Sequence, residues 1–218
     1  MTELAKRPSF LPKVKVELPE VEQKSTIKYL KLLQAMSPEL IEGEEKYNAD
    51  AKSGKYILGE VVFKEATVQV LQVKELWKEW SPEGLKGVYE SAKDAKAEAQ
   101  PTSDVKHSMD FMLRFVDGEV EGETGILSFA MDKYSKAESA EKWLSMLKTA
   151  CVKQEAPESG FLWTIGSIMK KGQKGSWYNT TIELKGFVDP KQFEQAQKVL
   201  SDHSESLVLE EKAASVNI

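Results

Sequence analysis

The stretch GFLWTIGSIMKKGQKGSWYNTTIELKGFV, residues 160–188, holds two segments of strand composition around a centre of lysine and glycine. The outer segments are rich in aromatic and β-branched residues, and the short connection KKGQKG favours an antiparallel hairpin. Alternation along the second segment places Tyr178, Thr180, Ile182, Leu184 and Val188 on one face and Trp177, Asn179, Thr181, Glu183 and Lys185 on the other. Trp177 is therefore expected on the polar face.

The hairpin is a candidate surface for a flat, charged ligand. A large aromatic ring near lysines suits single-stranded nucleic acid, because bases stack on the ring for about 1–3 kcal/mol while ammonium groups neutralise phosphates. The candidate contacts are Trp177, Tyr178, Lys170, Lys171 and Lys174. Two alternatives stay open: Trp177 covers the sheet edge or packs under the long polar insertion, and the lysines form a solvated turn.

A second candidate lies in KELWKEWSP, residues 74–82, which contributes Trp77, Lys78 and Trp80. The two tryptophans point to opposite faces if a strand continues and to the same face if a helical turn begins. Core packing is the favoured interpretation for at least one of them. Arg114 is a weaker addition to this set, since a single arginine is often an ordinary surface residue.

Further elements follow from periodicity. STIKYLKLLQAMSPEL, residues 25–40, predicts a helix capped by Ser25. Residues 53–80 predict two or three strands, and residues 108–118 and 124–131 predict one strand each. A second helix is expected in residues 134–150, with a capping box of Ser135 and Glu138, and a third from Pro190 with Asp189 as its cap.

These elements predict a mainly β (α+β) fold, a partly open antiparallel β-barrel of about six strands with about three attached helices. Residues 1–23 are expected to form a flexible N-terminal arm and residues 24–203 a single domain. We expect a polar insertion near residues 82–106 and a C-terminal tail at residues 204–218.

Composition limits the function classes. The net charge of −5 argues against a surface that coats nucleic acid everywhere, but it allows a local basic groove. The single cysteine, Cys151, excludes an internal disulfide and fits a reducing compartment. With only His107 and His203 as histidines, no metal site, cofactor or Cys-His nucleophile is predicted. No apolar run is long enough to cross a membrane.

The ordered segments LLQAMSPEL, SGKYILGE, VLQVKELWKEWSP, ILSFAMDKYSKAESAEKWLSML and GSWYNTTIELKGFV resemble a group of bacteriophage early proteins described as single-stranded DNA-binding proteins. The resemblance runs from about residue 27 to residue 188. It implies an OB-type fold that protects phage DNA during replication or recombination. It also implies contacts at Trp177 and Tyr178 and at Trp77, Lys78 and Trp80.

The resulting expectation is a non-enzymatic protein of the infected host's cytoplasm that binds single-stranded DNA without sequence preference. Phage replication or recombination proteins are expected partners, and homodimerisation stays open. The alternative is a protein-interaction or virion accessory module, since exposed tryptophan and tyrosine also mark protein interfaces. A nuclease-like cluster of Asp110, Asp117, Glu119, Glu121 and Glu123 is a third hypothesis, although such charges usually form a solvated hairpin.

Overall fold

The computed structural model describes residues 27–82, 84–173 and 175–203, without the side chains of Tyr134 and Ser135. These residues form nine strands and three α-helices. The strands are β1 (Lys28–Leu32), β2 (Tyr56–Leu58), β3 (Val61–Phe63), β4 (Ala66–Ser81), β5 (Gly84–Tyr89), β6 (Asp104–Phe115), β7 (Thr124–Ala130), β8 (Phe161–Gly172) and β9 (Gly175–Phe187). The helices are α1 (Ala92–Glu98), α2 (Tyr134–Gln154) and α3 (Pro190–His203).

The strands form one curled sheet, a half-barrel, in the order β3-β2-β1-β7-β6-β4-β8-β9, with β5 paired to β4. Strands β1 and β7 run parallel, and the other pairs run antiparallel. The curl brings distant strands together: the Tyr56 hydroxyl of β2 donates to the Gly166 carbonyl of β8 at 2.7 Å. Burial raises the pKa of Tyr56, so this hydroxyl keeps its proton.

The concave face carries the main core. Phe111, Leu113 and Phe115 alternate along β6 and are fully buried, as the sequence predicted. Helix α2 packs against them, with the Trp143 ring stacked on Phe111 at 4.4 Å between centroids. Trp163 of β8 meets Trp143 edge-on at 6.2 Å. Helix α2 therefore fills the half-barrel.

Helix α3 covers part of the convex face. Its Ala196 is fully buried in a small cluster with Leu71, Met112 and Ile126. The helix begins with a capping box. The Asp189 carboxylate accepts a hydrogen bond from the backbone N–H of Gln192 at 2.7 Å, and the side-chain oxygen of Gln192 accepts one from the backbone N–H of Asp189 at 3.0 Å. The predicted cap at Asp189 is confirmed.

The helix predicted over residues 25–40 is wrong. Residues Lys28–Leu32 form β1 instead, and Leu30 pairs with Leu58 of β2 on one side and Leu127 of β7 on the other. The spacing of Ile27, Leu30 and Leu33 fits a helix locally. The hydrogen-bonded pairing of β1 with β2 and β7 outweighs this weak local preference for a helix.

Other expectations are met in part. Three strands, β2, β3 and β4, begin within residues 53–80, and β8 and β9 form the predicted hairpin. The strand total is nine rather than about six, because β1 and β5 were not anticipated and the region of residues 53–80 forms three strands rather than two. The capping box at Ser135 is wrong, since α2 has Lys133 as its N-cap and no side-chain cap bond. The insertion near residues 82–106 contains β5 and α1.

The predicted arm at residues 1–23 and tail at residues 204–218 lie outside the described residues. Over the described ranges, no helix combines the length and apolar character needed to cross a bilayer.

Candidate nucleic-acid interface

The β8–β9 hairpin extends beyond the sheet. Strand β8 pairs with β4 only from Leu162 to Ile165, whereas its pairing with β9 continues to Gly172. Residues 166–172 and 175–181 therefore form a two-stranded extension, which we call the hairpin arm. Along the described part of this arm, β8 and β9 pair only with each other.

The base of the hairpin arm is anchored to the segments after β1 and before β2. The Gln34 side-chain amide donates to the Tyr178 carbonyl at 3.0 Å and accepts from the Tyr178 amide at 2.8 Å. The Ser167 hydroxyl donates to the Gly54 carbonyl. The Tyr178 ring lies over Gly54 so closely that a Cβ there would overlap it. Tyr178 thus holds the arm to the half-barrel, and the Gln34 side chain satisfies both backbone groups of Tyr178 on the free edge of β9.

Trp177 and Lys170 lie directly opposite each other in the ladder of the hairpin arm. They share the face opposite Tyr178, as the alternation predicted. The six-membered ring of Trp177 lies over Gly172, where any Cβ would come within 2.9 Å of it. Trp177 is half-buried and Lys170 is exposed, so an aromatic surface and an ammonium group are side by side.

The other two predicted lysines of the hairpin are not found beside Trp177 and Lys170. Lys171 is exposed but pairs with Ser176, which places it on the Tyr178 face. Lys174 lies outside the described residues. Gly175 has a φ of 124°, a backbone conformation that favours glycine and closes the turn.

A cavity of about 160 Å³ lies where the first turns of α2 meet the hairpin arm. We call it the edge pocket. Its lining combines two lysines and a carboxylate with hydroxyl, amide and aliphatic groups. The residues are Glu138, Ser139 and Lys142 of α2 and Ile168, Lys170, Asn179, Thr180, Thr181 and Ile182 of the hairpin. Lys142 was not identified from the sequence, because its position on a helix gives no hint that it approaches β9.

The second aromatic candidate lies on a different extension of the sheet, formed by the far ends of β4, β5 and β6. The strand continues past Trp77 and Trp80, so their rings point to opposite faces. Trp77 stacks on His107 at 4.6 Å, and His107 lies 2.6 Å from the Glu75 carboxylate. Trp80 is 38% exposed. Neither tryptophan shares a strand pair with the hairpin arm.

Lys78 does not reach the surface. Its ammonium donates to the Asp110 carboxylate at 2.7 Å, and the two side chains are only 5% and 1% exposed. The Tyr29 hydroxyl and the Ser128 hydroxyl complete the network at 3.2 and 3.4 Å. A phosphate contact would require Lys78 to leave this buried partner, so the structure gives Lys78 a packing role.

Arg114 is also buried, at 6% exposure, beneath α3. Its guanidinium donates to the Gln195 side chain of that helix. Burial lowers the pKa of Arg114, although the carboxylates of Glu121 and Asp189 oppose the effect. In this conformation α3 separates Arg114 from any ligand.

The sequence analysis also missed a groove on the convex face beside β1 and β2. Tyr29 and Tyr47, 39% and 46% exposed, line it with three lysines and three glutamates: Lys28, Lys31, Lys46, Glu39, Glu45 and Glu60. The incorrect helix over residues 25–40 concealed the strand alternation that places Tyr29 and Lys31 on one face. The balanced charges make this groove a poor site for a polyanion.

Three of the five acidic residues of the nuclease hypothesis have separate structural partners. Asp117 accepts from the Thr67 amide at 2.8 Å, Glu123 lies 3.4 Å from Lys28, and Asp110 is paired with Lys78. In the part of the chain that the structure describes, no group of three or more acidic, histidine or cysteine side chains could hold a metal ion.

Cys151 is a poorly activated thiol. Burial and the nearby Glu158 carboxylate raise its pKa to about 12.

A family model described as Pam3 phage gp34-like protein matches residues 20–207, and the chain belongs to that family. Comparisons with curated proteins and with solved structures gave no match. The family relationship identifies a phage protein and carries no statement about a ligand.

Proposed function

We propose that this member of the Pam3 phage gp34-like family binds single-stranded DNA without reading a sequence, through the hairpin arm. The observation that carries the proposal is the direct pairing of Trp177 with Lys170 on an exposed face of a two-stranded arm. A base can stack on the indole while the ammonium meets the adjoining phosphate. Lys142, at the other side of the edge pocket, supplies a second positive charge.

The proposal uses fewer residues than the sequence predicted. Trp177, Lys170, Lys171 and Lys142 form the proposed contact set, and Tyr178 positions the arm. Lys78 and Arg114 are left out because both are buried with protein partners. A small contact set implies that few counterions are released on binding, so the salt dependence should be shallow.

The proposal keeps the OB-like interpretation of the half-barrel, since OB folds bind oligonucleotides across an open sheet. It places the protein in the cytoplasm of the infected host, where it would protect DNA during replication or recombination. Phage replication or recombination proteins are its proposed partners.

A protein-interaction module is the second candidate, and one observation favours it. Ile168 and Met169, neighbours on the hairpin arm, are each 47% exposed. Exposed apolar side chains on an extended hairpin could meet a protein partner, and the net charge of −5 does not attract DNA from a distance. A stable complex with another phage protein, without any oligonucleotide binding, would favour this candidate.

The test is fluorescence anisotropy of labelled oligo-dT and of a matched duplex at two salt concentrations. We expect the single strand to bind more tightly and its affinity to fall as salt rises. Lys170→Ala should weaken binding and lower the salt slope by about 0.7, the value for one contacted phosphate on a single strand. Lys198→Ala, an exposed lysine of α3, is the matched control and should leave the slope unchanged. Equal affinity for the duplex would refute the proposal.

A further inference from the structure

The groove beside β1 and β2, which we call the tyrosine groove, has walls that are held in place. Its volume of about 780 Å³ lies in the range of about 300–1,000 Å³ that is usual for ligand sites. The Tyr29 hydroxyl accepts from the buried Lys78 ammonium at 3.2 Å, and that ammonium lies 4.9 Å from the centre of the Tyr29 ring. On the other wall, the Asn48 side chain donates to the Glu60 carbonyl at 3.1 Å. The floor includes Ile57 of β2.

The lysines of the tyrosine groove are already engaged by protein carboxylates. Lys28 lies 3.4 Å from Glu123, which is outside the groove, and Lys31 lies 2.7 Å from Glu39. Burial acts to raise the pKa of Glu39, but the hydrogen bond from Lys31 and the nearby charge of Lys46 hold it below its usual value. The three lysines therefore have little charge to offer a ligand.

Two carboxylates of the groove are left over. Glu45 and Glu60 are exposed, and within the described ranges no lysine, arginine or histidine lies at ion-pair distance from either of them. Two tyrosine rings beside two unneutralised carboxylates suit a ligand that is both basic and apolar.

The chain itself carries a stretch of this chemistry. KRPSFLPKVKV, residues 6–16, holds four basic residues and no acidic one, together with one phenylalanine, one leucine and two valines. Residues 1–26 join the described structure at Ile27, next to Lys28 of the groove. Residues 17–26 can span up to about 33 Å when extended, whereas the groove-lining part of β1 is only about 10 Å long. The basic stretch can therefore reach the groove.

We propose that residues 13–16 of the same chain, KVKV, dock in the tyrosine groove. In an extended segment Lys13 and Lys15 point to one side and Val14 and Val16 to the other. The valines then contact the tyrosine rings while the lysines pair with the two carboxylates. The tether gives the segment an effective concentration in the millimolar range, which favours the chain's own segment over that of another copy. This inference does not depend on the proposed DNA binding.

Carbodiimide coupling of the full chain tests the docking, because this reagent joins an ammonium to a carboxylate only where the two groups meet. Peptide mapping by mass spectrometry should find either lysine of the docked stretch joined to Glu45 or Glu60. Glu42 and Glu44 are matched controls, since they are exposed on the same loop and do not line the groove. We expect coupling to the groove carboxylates to exceed coupling to these controls about fivefold or more.

A pair of variants separates docking from random encounter. Val14→Ser/Val16→Ser keeps both lysines but removes the apolar contacts, so it should lower the yield of this coupling about threefold or more. Val21→Ser makes the same chemical change between the docked stretch and β1, and it should leave the yield unchanged. All three positions lie outside the described fold, so neither variant alters its core.

The contrary outcomes are equally clear. Coupling that is absent, or as frequent at Glu42 and Glu44 as at the groove, would overturn the proposal. In a mixture of ¹⁵N-labelled and unlabelled chains, bonds formed between chains would assign the groove to a second copy and overturn docking within one chain. Each of these failures leaves the proposed function standing.

Discussion

Replacement of Lys78 by methionine tests whether this lysine stabilises the fold or contacts DNA. In the folded protein its ammonium lies 2.7 Å from the Asp110 carboxylate, and both side chains are almost fully excluded from solvent. Methionine fills a similar volume but leaves a buried carboxylate without its cation. Loss of one partner of a buried ion pair costs about 3–5 kcal/mol. That is a large part of the 5–15 kcal/mol by which domains are typically stable.

Part of this cost should be recovered when the charge on the partner is also removed. Asp110→Asn keeps an acceptor for the Ser128 hydroxyl, which donates to Asp110 at 2.6 Å. We therefore expect the double variant Lys78→Met/Asp110→Asn to be about 2 kcal/mol more stable than the sum of the single effects predicts. Urea denaturation followed by tryptophan fluorescence gives the four free energies of unfolding needed for this cycle, those of the parent, the two single variants and the double variant.

The same variant separates packing from recognition. At a temperature where it remains folded, Lys78→Met should bind oligo-dT within twofold of the parent. A loss of stability below 1 kcal/mol, or a tenfold loss of affinity in the folded variant, would refute the packing role of Lys78.

Three other predictions concern the fold. Gln34→Ala removes both hydrogen bonds to Tyr178 and should lower the free energy of unfolding by about 1–3 kcal/mol in urea denaturation; an unchanged free energy would contradict the anchoring role of Gln34. Trp143→Ala should cost about 3–5 kcal/mol in the same assay, because it empties the centre of the half-barrel; a smaller loss would contradict its central position. Hydrogen bonds to the Glu79 carboxylate, above all the one that the Tyr89 hydroxyl donates, lower the pKa of Glu79. The folded state therefore favours the ionised form of Glu79. Its contribution is present above the usual glutamate pKa of about 4.3 and is lost as the pH falls through the depressed value. The stability difference between parent and Glu79→Gln should therefore shrink from pH 6 to pH 3, and a constant difference would contradict this linkage.

Much of the sheet could be predicted from the sequence because the signal is local. Phe111, Leu113 and Phe115 alternate with polar residues, and a strand that buries one face needs that pattern. The hairpin of β8 and β9 was predictable for the same reason, since its turn residues lie within the stretch itself. The start of α3 could be predicted from Asp189 and Pro190, because a helix cap depends only on residues within the first turn.

The remaining features depend on residues far apart in the chain. β1 is a strand because β2 and β7 pair with Leu30 from both sides, and local spacing does not encode those partners. The burial of Lys78 depends on Asp110, 32 residues away. Because Lys78 lies between two tryptophans in the sequence, it was predicted to bind a ligand. In the structure its ammonium instead pairs with the buried Asp110 carboxylate.

The candidate site was predicted in part. The relation of Trp177 to Tyr178 followed from strand alternation. The approach of Lys142 to the hairpin arm did not, because it depends on how α2 docks against β9.

The most direct test of the central claim compares Trp177→Ala with Trp80→Ala in anisotropy titrations of labelled oligo-dT. Both replacements remove a partly exposed tryptophan, but only Trp177 lies on the hairpin arm. Loss of one stacking contact should weaken the affinity of Trp177→Ala by about 5- to 150-fold, while Trp80→Ala binds like the parent. Unchanged affinity in Trp177→Ala, or an equal loss in both variants, would contradict the assignment of DNA binding to the hairpin arm.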